Sequence, residues 1–184
     1  MADWTSPATW ADGSVVTAAQ LNEQIRDNEQ FLYDAINSIV VLQDQKTAGT
    51  DGGTFTQDAW QTRTLNTEVV DVNNLCTLAA NQFTLEAGTW EILASAPAQT
   101  SGDHQARLQN VTDAVAVLLG TSETVGGATA AQNRSHIVGR FTIAASKALE
   151  IQHYCLTTRA TDGFGEALGI TTEVYTTVWL RKVA

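Results

Sequence analysis

The first periodic region of the chain places apolar residues at alternating intervals of four and three. The positions that follow this rule are Leu21, Ile25, Asn28, Leu32, Ala35, Ile39 and Leu42. Such spacing is the heptad repeat of a coiled coil, in which positions a and d face a second helix. Asn28, the polar member of the series, lowers stability but fixes register and strand number. The pattern predicts a helix whose interface with further copies of this chain is formed by these residues.

Two independent signals mark the start of this helix. Thr17 and Gln20 have the three-residue spacing of a capping box, in which each side chain accepts a hydrogen bond from the other's backbone N–H. Val16 and Leu21 have the spacing of a hydrophobic staple across the same turn. We therefore expect a coiled-coil helix over residues 14–46.

Apolar residues beside the seam bear on the number of strands in the coiled coil. Phe31 and Ile36 widen the apolar arc beyond positions a and d, which favours three strands over two. The same width would suit a single amphipathic helix that packs against its own domain, and this alternative stays open. We expect a homotrimeric stalk.

Past residue 46 the helical period gives way to alternation. Residues 47–54 are rich in Gly and Thr, which predicts a hinge that ends the helix. The clearest alternating sets in the remainder, 55–184, are Trp90, Ile92, Ala94 and Ala96; Ile137, Gly139, Phe141 and Ile143; Leu149, Ile151, His153 and Cys155. A last segment, 173–183, is rich in Val, Thr, Tyr and Trp, which favour strands. The predicted fold class is therefore mainly β with an N-terminal α-helix. We expect the coiled-coil stalk to be followed by a head domain that is an antiparallel jelly-roll sandwich.

Composition excludes several function classes. The 184 residues include 10 Lys and Arg against 20 Asp and Glu, so the clustered cations that bind nucleic acid are not expected. No apolar run approaches the roughly 20 residues of a membrane span, and the N-terminus lacks the pattern of a secretory signal. Cys76 and Cys155 are expected to be reduced and buried, although a single bridge between them stays open.

The residue types that carry catalysis or bind metals form no recognisable motif. His104, His136 and His153 lack the spacing of a zinc site, and no P-loop, zincin, hydrolase or dinucleotide fingerprint occurs. His153 lies on an apolar face, which is typical of an interior histidine. Scattered carboxylates would allow glycoside hydrolysis only if two of them paired, and the sequence gives no means of pairing them. We expect no catalytic residue, no cofactor and no metal; a glycan-degrading enzyme is the least favoured alternative.

Two parts of the chain resemble known families. Residues 10–28, Trp-Ala-Asp-Gly-Ser-Val-Val-Thr-Ala-Ala-Gln-Leu-Asn-Glu-Gln-Ile-Arg-Asp-Asn, resemble the leader of fibre and tail-associated structural proteins of tailed bacteriophages. In those proteins this leader opens a trimeric stalk. The segments 83–92, 107–113 and 139–143 resemble the jelly roll of the tumour-necrosis-factor and complement type, a module also common at the tips of phage fibres. Together the two resemblances cover nearly the whole chain.

The resemblance implies a virion fibre, on head or tail, made in the bacterial cytoplasm and exposed on the particle. Residues 1–13 are expected to attach to another virion protein (capsid, portal, neck or tail) through Trp4, Pro7 and Trp10, since large apolar groups without a core typically seat in a partner's pocket. The alternative is that the tryptophans fold back on the stalk. No membrane insertion is implied.

The head is expected to bind a host-surface glycan or protein through its loops, where recognition is usually placed. Because Arg and aromatic side chains are enriched in recognition sites, the candidates are His104, Arg134, Arg159 and Phe164. A capsid decoration or cement protein, and a neck or collar piece, remain alternatives to the fibre.

Overall fold

The N-terminal helix begins where the capping signals place it. The computed structural model describes residues 4–126 and 131–183. Helix α1 (Ala18–Leu21) follows the N-cap Thr17, and both hydrogen bonds of the capping box with Gln20 are present. A π-helical turn (Asn22–Asp27) connects it to helix α2 (Asn28–Ile36). The predicted capping box is thus confirmed, but the first helical residue is Ala18 and not residue 14. The three segments are referred to below as the N-terminal helix.

The remaining elements are strands of two antiparallel sheets. They are β1 (Ile39–Lys46), β2 (Gln61–Thr62), β3 (Thr67–Asp71), β4 (Cys76–Ala79), β5 (Gln82–Leu85), β6 (Gly88–Gln99), β7 (Gly102–Asn110), β8 (Val115–Val125), β9 (Gln132–Ile143), β10 (Lys147–Cys155) and β11 (Glu173–Lys182). The five-stranded sheet has the order β3-β1-β11-β6-β9. The six-stranded sheet has the order β4-β5-β10-β7-β8, with β2 beside β10. Strands distant in sequence are neighbours in both sheets, as in a jelly roll, so the predicted mainly-β sandwich with an N-terminal helix is confirmed.

The core lies between the sheets and is built by the alternating positions of the strands. Trp90 is fully buried, and the indole N–H donates a hydrogen bond to the backbone oxygen of Glu86. The alternating apolar sets predicted in β6, β9 and β10 all point inward. A second, smaller cluster at the other end of the sandwich contains Phe55, Phe164 and Cys155. The two-residue period of a strand is therefore enough to identify the inner face here.

The helix ends earlier than its heptad pattern predicts, at Ile36. Ile39–Lys46 instead form β1, which pairs with β3 on one side and with β11 on the other. The run from Ile39 to Val41 is β-branched, and such residues suit a pleated sheet better than a helix. Leu42 points into the sandwich and is fully buried. The assignment of Ile39 and Leu42 to a helical trimer seam is therefore wrong.

The predicted hinge, residues 47–54, is a loop fixed on the sandwich. Gly52 donates a backbone hydrogen bond of 2.8 Å to the carbonyl oxygen of Gly165. A Cβ on Gly52 would lie 2.6 Å from the backbone carbonyl carbon of Phe164, so a larger residue does not fit. Because strands on both sides of this loop belong to one sandwich, the head begins at Ile39 rather than at residue 55.

The described parts of the chain contain no helix that is both long and apolar enough to cross a lipid bilayer.

Cys76 and Cys155 are free thiols, so the bridge left open by the sequence is absent. Burial raises the pKa of the Cys76 thiol to about 12 and that of Cys155 to about 11. Both side chains therefore stay protonated at neutral pH and act as apolar groups.

Two truncations distinguish the observed domain boundary from the predicted one. We expect a chain without residues 1–36 to fold, because it keeps all eleven strands. A chain without residues 1–54 loses β1 from the middle of a sheet and exposes the edges of β3 and β11, so it should not fold cooperatively. Thermal unfolding followed by circular dichroism measures this difference. Equal cooperativity of the two chains would contradict the boundary at Ile39.

Candidate functional site

The leader folds back along the N-terminal helix. The rings of Trp4 and Phe31 lie 5.8 Å apart and tilted. Thr5 donates its backbone N–H to Asn28 Oδ1, and Asn28 Nδ2 donates to the carbonyl oxygen of Thr5, both at 2.9 Å. Ala8 N–H donates to the side-chain oxygen of Gln24. Of the two arrangements expected for the tryptophans, the structure has the one in which they pack on the helix.

Asn28 therefore has a partner within its own chain. The side chain is only 6% exposed, and both ends of its amide bind the leader backbone. A buried polar group is tolerated when it is hydrogen-bonded, so the leader stabilises this residue without a second copy of the helix. The role of Asn28 in a trimer interface stays a prediction.

The helix keeps a largely uncovered apolar side. Leu21, Ile25 and Leu32 are 46%, 50% and 50% exposed. Leu21 and Ile25 line a groove of about 270 Å³ together with Trp10 and Pro7 of the leader. The π-helical turn closes wider hydrogen-bonded rings than an α-helix, so it shifts the residues after it relative to a strict heptad seam. The exposed side of the helix is therefore apolar along its length, but its residues do not form a straight stripe.

A second apolar surface crosses the outer face of the five-stranded sheet. Val70, Val41, Trp179, Leu93 and Val138 lie directly opposite one another on successive strands. Leu93 and Val138 are 50% and 68% exposed. We call these five side chains the apolar row. An aligned set of exposed apolar side chains on a sheet is typical of a protein interface.

His104 and Phe164, two predicted recognition residues, are buried. His104 Nδ1 lies 2.9 Å from Nε2 of His153, and His104 Nε2 lies 2.7 Å from Asn133 Oδ1. The ring of Phe164 packs 4.7 Å from Phe55. The prediction that these two side chains are displayed in loops is wrong, because β7 turns His104 inward and the 158–170 loop seals one end of the sandwich.

Phe164 also covers a buried cation. The guanidinium of Arg63 lies 3.9 Å above the Phe164 ring and donates to the carbonyl oxygens of Phe164 and Pro97 and to Thr176 Oγ1. Arg63 is fully buried, and desolvation lowers its pKa to about 9. Asp44, buried nearby, has a raised pKa because of its own desolvation. This end of the sandwich is therefore held by polar contacts as well as apolar ones.

Arg134 and Arg159, the other two predicted recognition residues, are engaged within the chain. Arg134 donates to Ser95 Oγ and to the carbonyl oxygen of Tyr175. Arg159 forms a bidentate ion pair with Asp162, in which Nε and Nη2 donate to the two carboxylate oxygens at 2.6 and 2.7 Å. Both guanidinium groups remain partly accessible at one end of the sandwich, so their role in recognition stays a prediction.

A groove on the outer face of the six-stranded sheet includes one of the predicted recognition residues, His104. It has a volume of about 370 Å³ and lies over β7, β8 and the end of β10. Its lining residues are Asp103, His104, Gln105, Ser122, Glu123, Thr124, Tyr154 and Leu156. Thr124 Oγ1 donates to Asp103 at 2.7 Å, and Gln105 Nε2 donates to the carbonyl oxygen of Gly120. We call it the β7–β10 groove.

An aromatic platform adjoins this groove and shares Tyr154 with it. The rings of Trp60 and Tyr154 lie 5.6 Å apart, and the guanidinium of Arg107 lies 4.1 Å from the Trp60 ring. Arg107 Nε and Nη2 both donate to Gln152 Oε1, at 2.8 and 2.6 Å. Tyr154 donates its hydroxyl proton to Asp58. Each polar side chain of the platform thus has a fixed partner.

The sequence carries one signal for this surface. In the alternating β10 pattern the positions between the inward residues are Gln152 and Tyr154, large planar side chains rather than the small polar ones common on exposed strands. Their neighbours Gln105 and Arg107 come from β7 through the pairing of β10 with β7. That pairing joins residues more than forty positions apart, which the periodicity of either strand alone does not reveal.

Three titratable side chains that could take part in catalysis, His104, His153 and Asp44, are buried. The described residues contain no cluster of three or more His, Cys, Asp or Glu side chains able to hold a metal ion. Burial lowers the pKa of both His104 and His153, so the paired rings are neutral at pH 7. The raised pKa of Asp44 would suit a general acid, but this carboxyl is enclosed by the sandwich, out of reach of a substrate.

Comparisons with known proteins find likeness in the fold. No protein-family model matches the sequence, and no curated protein sequence matches it significantly. The chain is similar to the globular domain of zebrafish complement 1qA protein, with 13% identity over 80% of this chain and 98% of that one and a TM-score of 0.49. It is also similar to Eiger TNF from S. frugiperda (12% identity, 80% and 94%, TM-score 0.49) and to murine APRIL (6%, 78% and 98%, TM-score 0.48).

The buried histidine pair makes stability depend on pH. His153 has its pKa lowered well below 6.5, first by desolvation and then by the charge of Arg63 and by His104. The unfolded chain therefore binds more protons than the folded one below about pH 6.5, and stability is lost as the pH falls. We expect the free energy of unfolding to fall by up to about 1.4 kcal/mol per pH unit for this group between pH 6.5 and 5.

Urea titrations at several pH values measure this effect. His153→Gln should reduce the slope of stability against pH, while His136→Gln, at an exposed position, serves as the matched control and should leave it unchanged. An equal slope in wild type and in His153→Gln would show that the buried pair does not titrate as described.

Proposed function

We propose that this chain is a non-enzymatic, homotrimeric fibre subunit of a tailed bacteriophage, attached to the virion by its leader and binding the host surface with its head. The resemblance of residues 10–28 to phage fibre leaders supports the origin. The observation that carries the trimer is the exposed apolar side of the N-terminal helix. Leu21, Ile25 and Leu32 are each about half exposed.

An exposed helix of this length needs a partner. Residues 18–36 span about 30 Å, and an isolated helix of such length is marginally stable in water. Leader contacts cover part of one side, at Asn28 and Gln24, and leave the leucines and isoleucine accessible. Identical helices that meet through these side chains would remove them from water. The partner proposed is therefore a second and third copy of the same helix.

The apolar row supports association of the heads as well. It includes Val41 and Trp179, which lie on β1 and on its neighbour β11. The N-terminal helix leads directly into β1, so copies joined through their helices hold this sheet near its counterparts. Beside the row, Glu91 forms ion pairs with Arg140 and Arg181, the kind of polar border that flanks an apolar interface.

The leader is proposed to attach the fibre to another virion protein. Trp4 and Trp10 remain 47% and 43% exposed although they pack on the helix. Large aromatic groups that are half exposed and held by a rigid support are typical anchors for a partner's pocket. A capsid decoration protein or a neck or collar piece would use the same surfaces; a fibre differs from both in projecting outward from the particle.

Serine substitutions on the helix test the trimer. Leu32→Ser and Ile25→Ser should weaken association because each removes an apolar side chain that the interface would bury. Glu29→Ser, at an exposed polar position of the same helix, is the control. Sedimentation equilibrium at micromolar concentration should give a trimer for wild type and control, and a larger monomer fraction for the two variants. A monomeric wild type would refute the fibre.

The anchoring role of the leader is tested on particles. A double variant, Trp4→Ala with Trp10→Ala, should still trimerise but should be missing from purified virions, because the anchoring side chains are gone. Thr9→Ala, in the same segment, should be incorporated normally. Normal incorporation of the double variant would refute the anchor, and electron microscopy of wild-type particles distinguishes a projecting fibre from a flat decoration protein.

A further inference from the structure

We infer that the head binds a neutral saccharide in the β7–β10 groove and on the aromatic platform of Trp60, Arg107 and Tyr154, which adjoins the groove at Tyr154. This inference rests on the proposed function, since it names the ligand class of the binding head. It places recognition on the outer face of the six-stranded sheet, where His104, although only 3% exposed, still lines the groove.

The groove and the platform are ordered before any ligand binds. Gln105 Nε2 donates to Gly120 O at 2.9 Å and to Ser122 Oγ at 3.2 Å. Arg107 is held by Gln152, and Tyr154 by Asp58. Side chains locked by such bonds on paired strands lose little conformational freedom on binding. Outward-facing polar side chains on a sheet are otherwise free to rotate, so this degree of order favours a binding surface.

The groups that remain available match a sugar ring. Tyr154 and Leu156 give the groove an apolar wall for the C–H face of a ring. Asp103 accepts one bond from Thr124 and keeps a second carboxylate oxygen as acceptor, while Gln105 keeps its amide oxygen. Hydroxyl groups donate to such oxygens and accept from N–H groups. A concave site with an apolar wall and a few fixed polar atoms is the usual form of a small-ligand site.

The charges around the site favour a neutral ligand. Asp103 and Glu123 line the groove and would repel an anionic sugar, as would the net charge of -10. The same carboxylates would attract a cation, but Arg107 already occupies the cation position at the Trp60 ring, 4.1 Å from it, so a cationic ligand would meet a filled site and a like charge at the platform. A polyhydroxylated ring without charge avoids both penalties.

The test uses the full chain and defined probes. An array of neutral oligosaccharides of glucose, galactose, mannose and N-acetylglucosamine is compared with sialylated oligosaccharides and with phosphocholine. The strongest neutral probe is then titrated by calorimetry and by NMR of the indole N–H groups. We expect millimolar or tighter binding that shifts the Trp60 signal and leaves the Trp90 signal, which is buried in the core, unchanged.

Variants locate the site. Trp60→Ala and Tyr154→Ala should each weaken binding of the neutral probe at least about fivefold, because each removes an aromatic ring of the platform on which the sugar would stack. His136→Ala, on the other sheet, is the control and should bind as wild type. Gln105→Ala keeps both aromatic rings and should also weaken binding. This variant still tests the site if an aromatic variant loses its cooperative thermal transition and is unfolded.

Each outcome decides the inference. Neutral-probe binding that the platform variants weaken and His136→Ala retains supports it. Binding only to the sialylated probe or to phosphocholine, no binding to any neutral probe, or unchanged affinity in all platform variants overturns it. Sedimentation of the same samples distinguishes failure of the saccharide site from failure of the proposed fibre. A trimer without sugar binding overturns the saccharide site alone, and a monomer that binds sugar overturns the fibre alone.

Discussion

The pairing of β1 between β3 and β11 is the constraint on which the rest of the structure depends. A strand inside a sheet is hydrogen-bonded on both edges, so it cannot leave without opening the sheet. It also carries Leu42 into the core. Only two residues separate the end of the N-terminal helix at Ile36 from this strand, so the sandwich fixes the point from which the helix projects. Asn73 donates to the carbonyl oxygen of Asp34 and holds the last helical turn from the side.

This arrangement places the surface proposed for assembly and the surface proposed for recognition on different sheets. The helix and the apolar row belong to β1 and its sheet, whereas the β7–β10 groove lies on the outer face of the opposite sheet. Copies that associate through the first surface therefore leave the second one accessible. In the proposed trimer, three weak sites would bind one host surface together, so the avidity would exceed the affinity of each groove.

The polar interior at one end of the sandwich has a structural role of its own. Arg63 follows β2 and donates its backbone N–H to Ile151 of β10, while its side chain reaches Thr176 of β11 and Pro97 of β6, which ties the two sheets together. The His104–His153 pair lies in the same region, and the Nδ1 atom of His153 has no hydrogen-bond partner in the described parts of the chain. Buried polar groups of this kind specify one packing arrangement but make it sensitive to protonation.

The sequence by itself determined the features that depend on near neighbours: the capping box at Thr17, the inward sets of β6, β9 and β10, and the mainly-β class. Such features follow from spacings of two to four residues, which a chain displays before it folds. Tertiary structure decided the rest. Heptad spacing assigned Ile39 and Leu42 to the helix, but strand partners on both sides, distant in sequence, made them part of a sheet. The meeting of Trp60, Arg107 and Tyr154 likewise required strands from separate parts of the chain, because which strands pair is set by burial of the whole core and not by any local pattern.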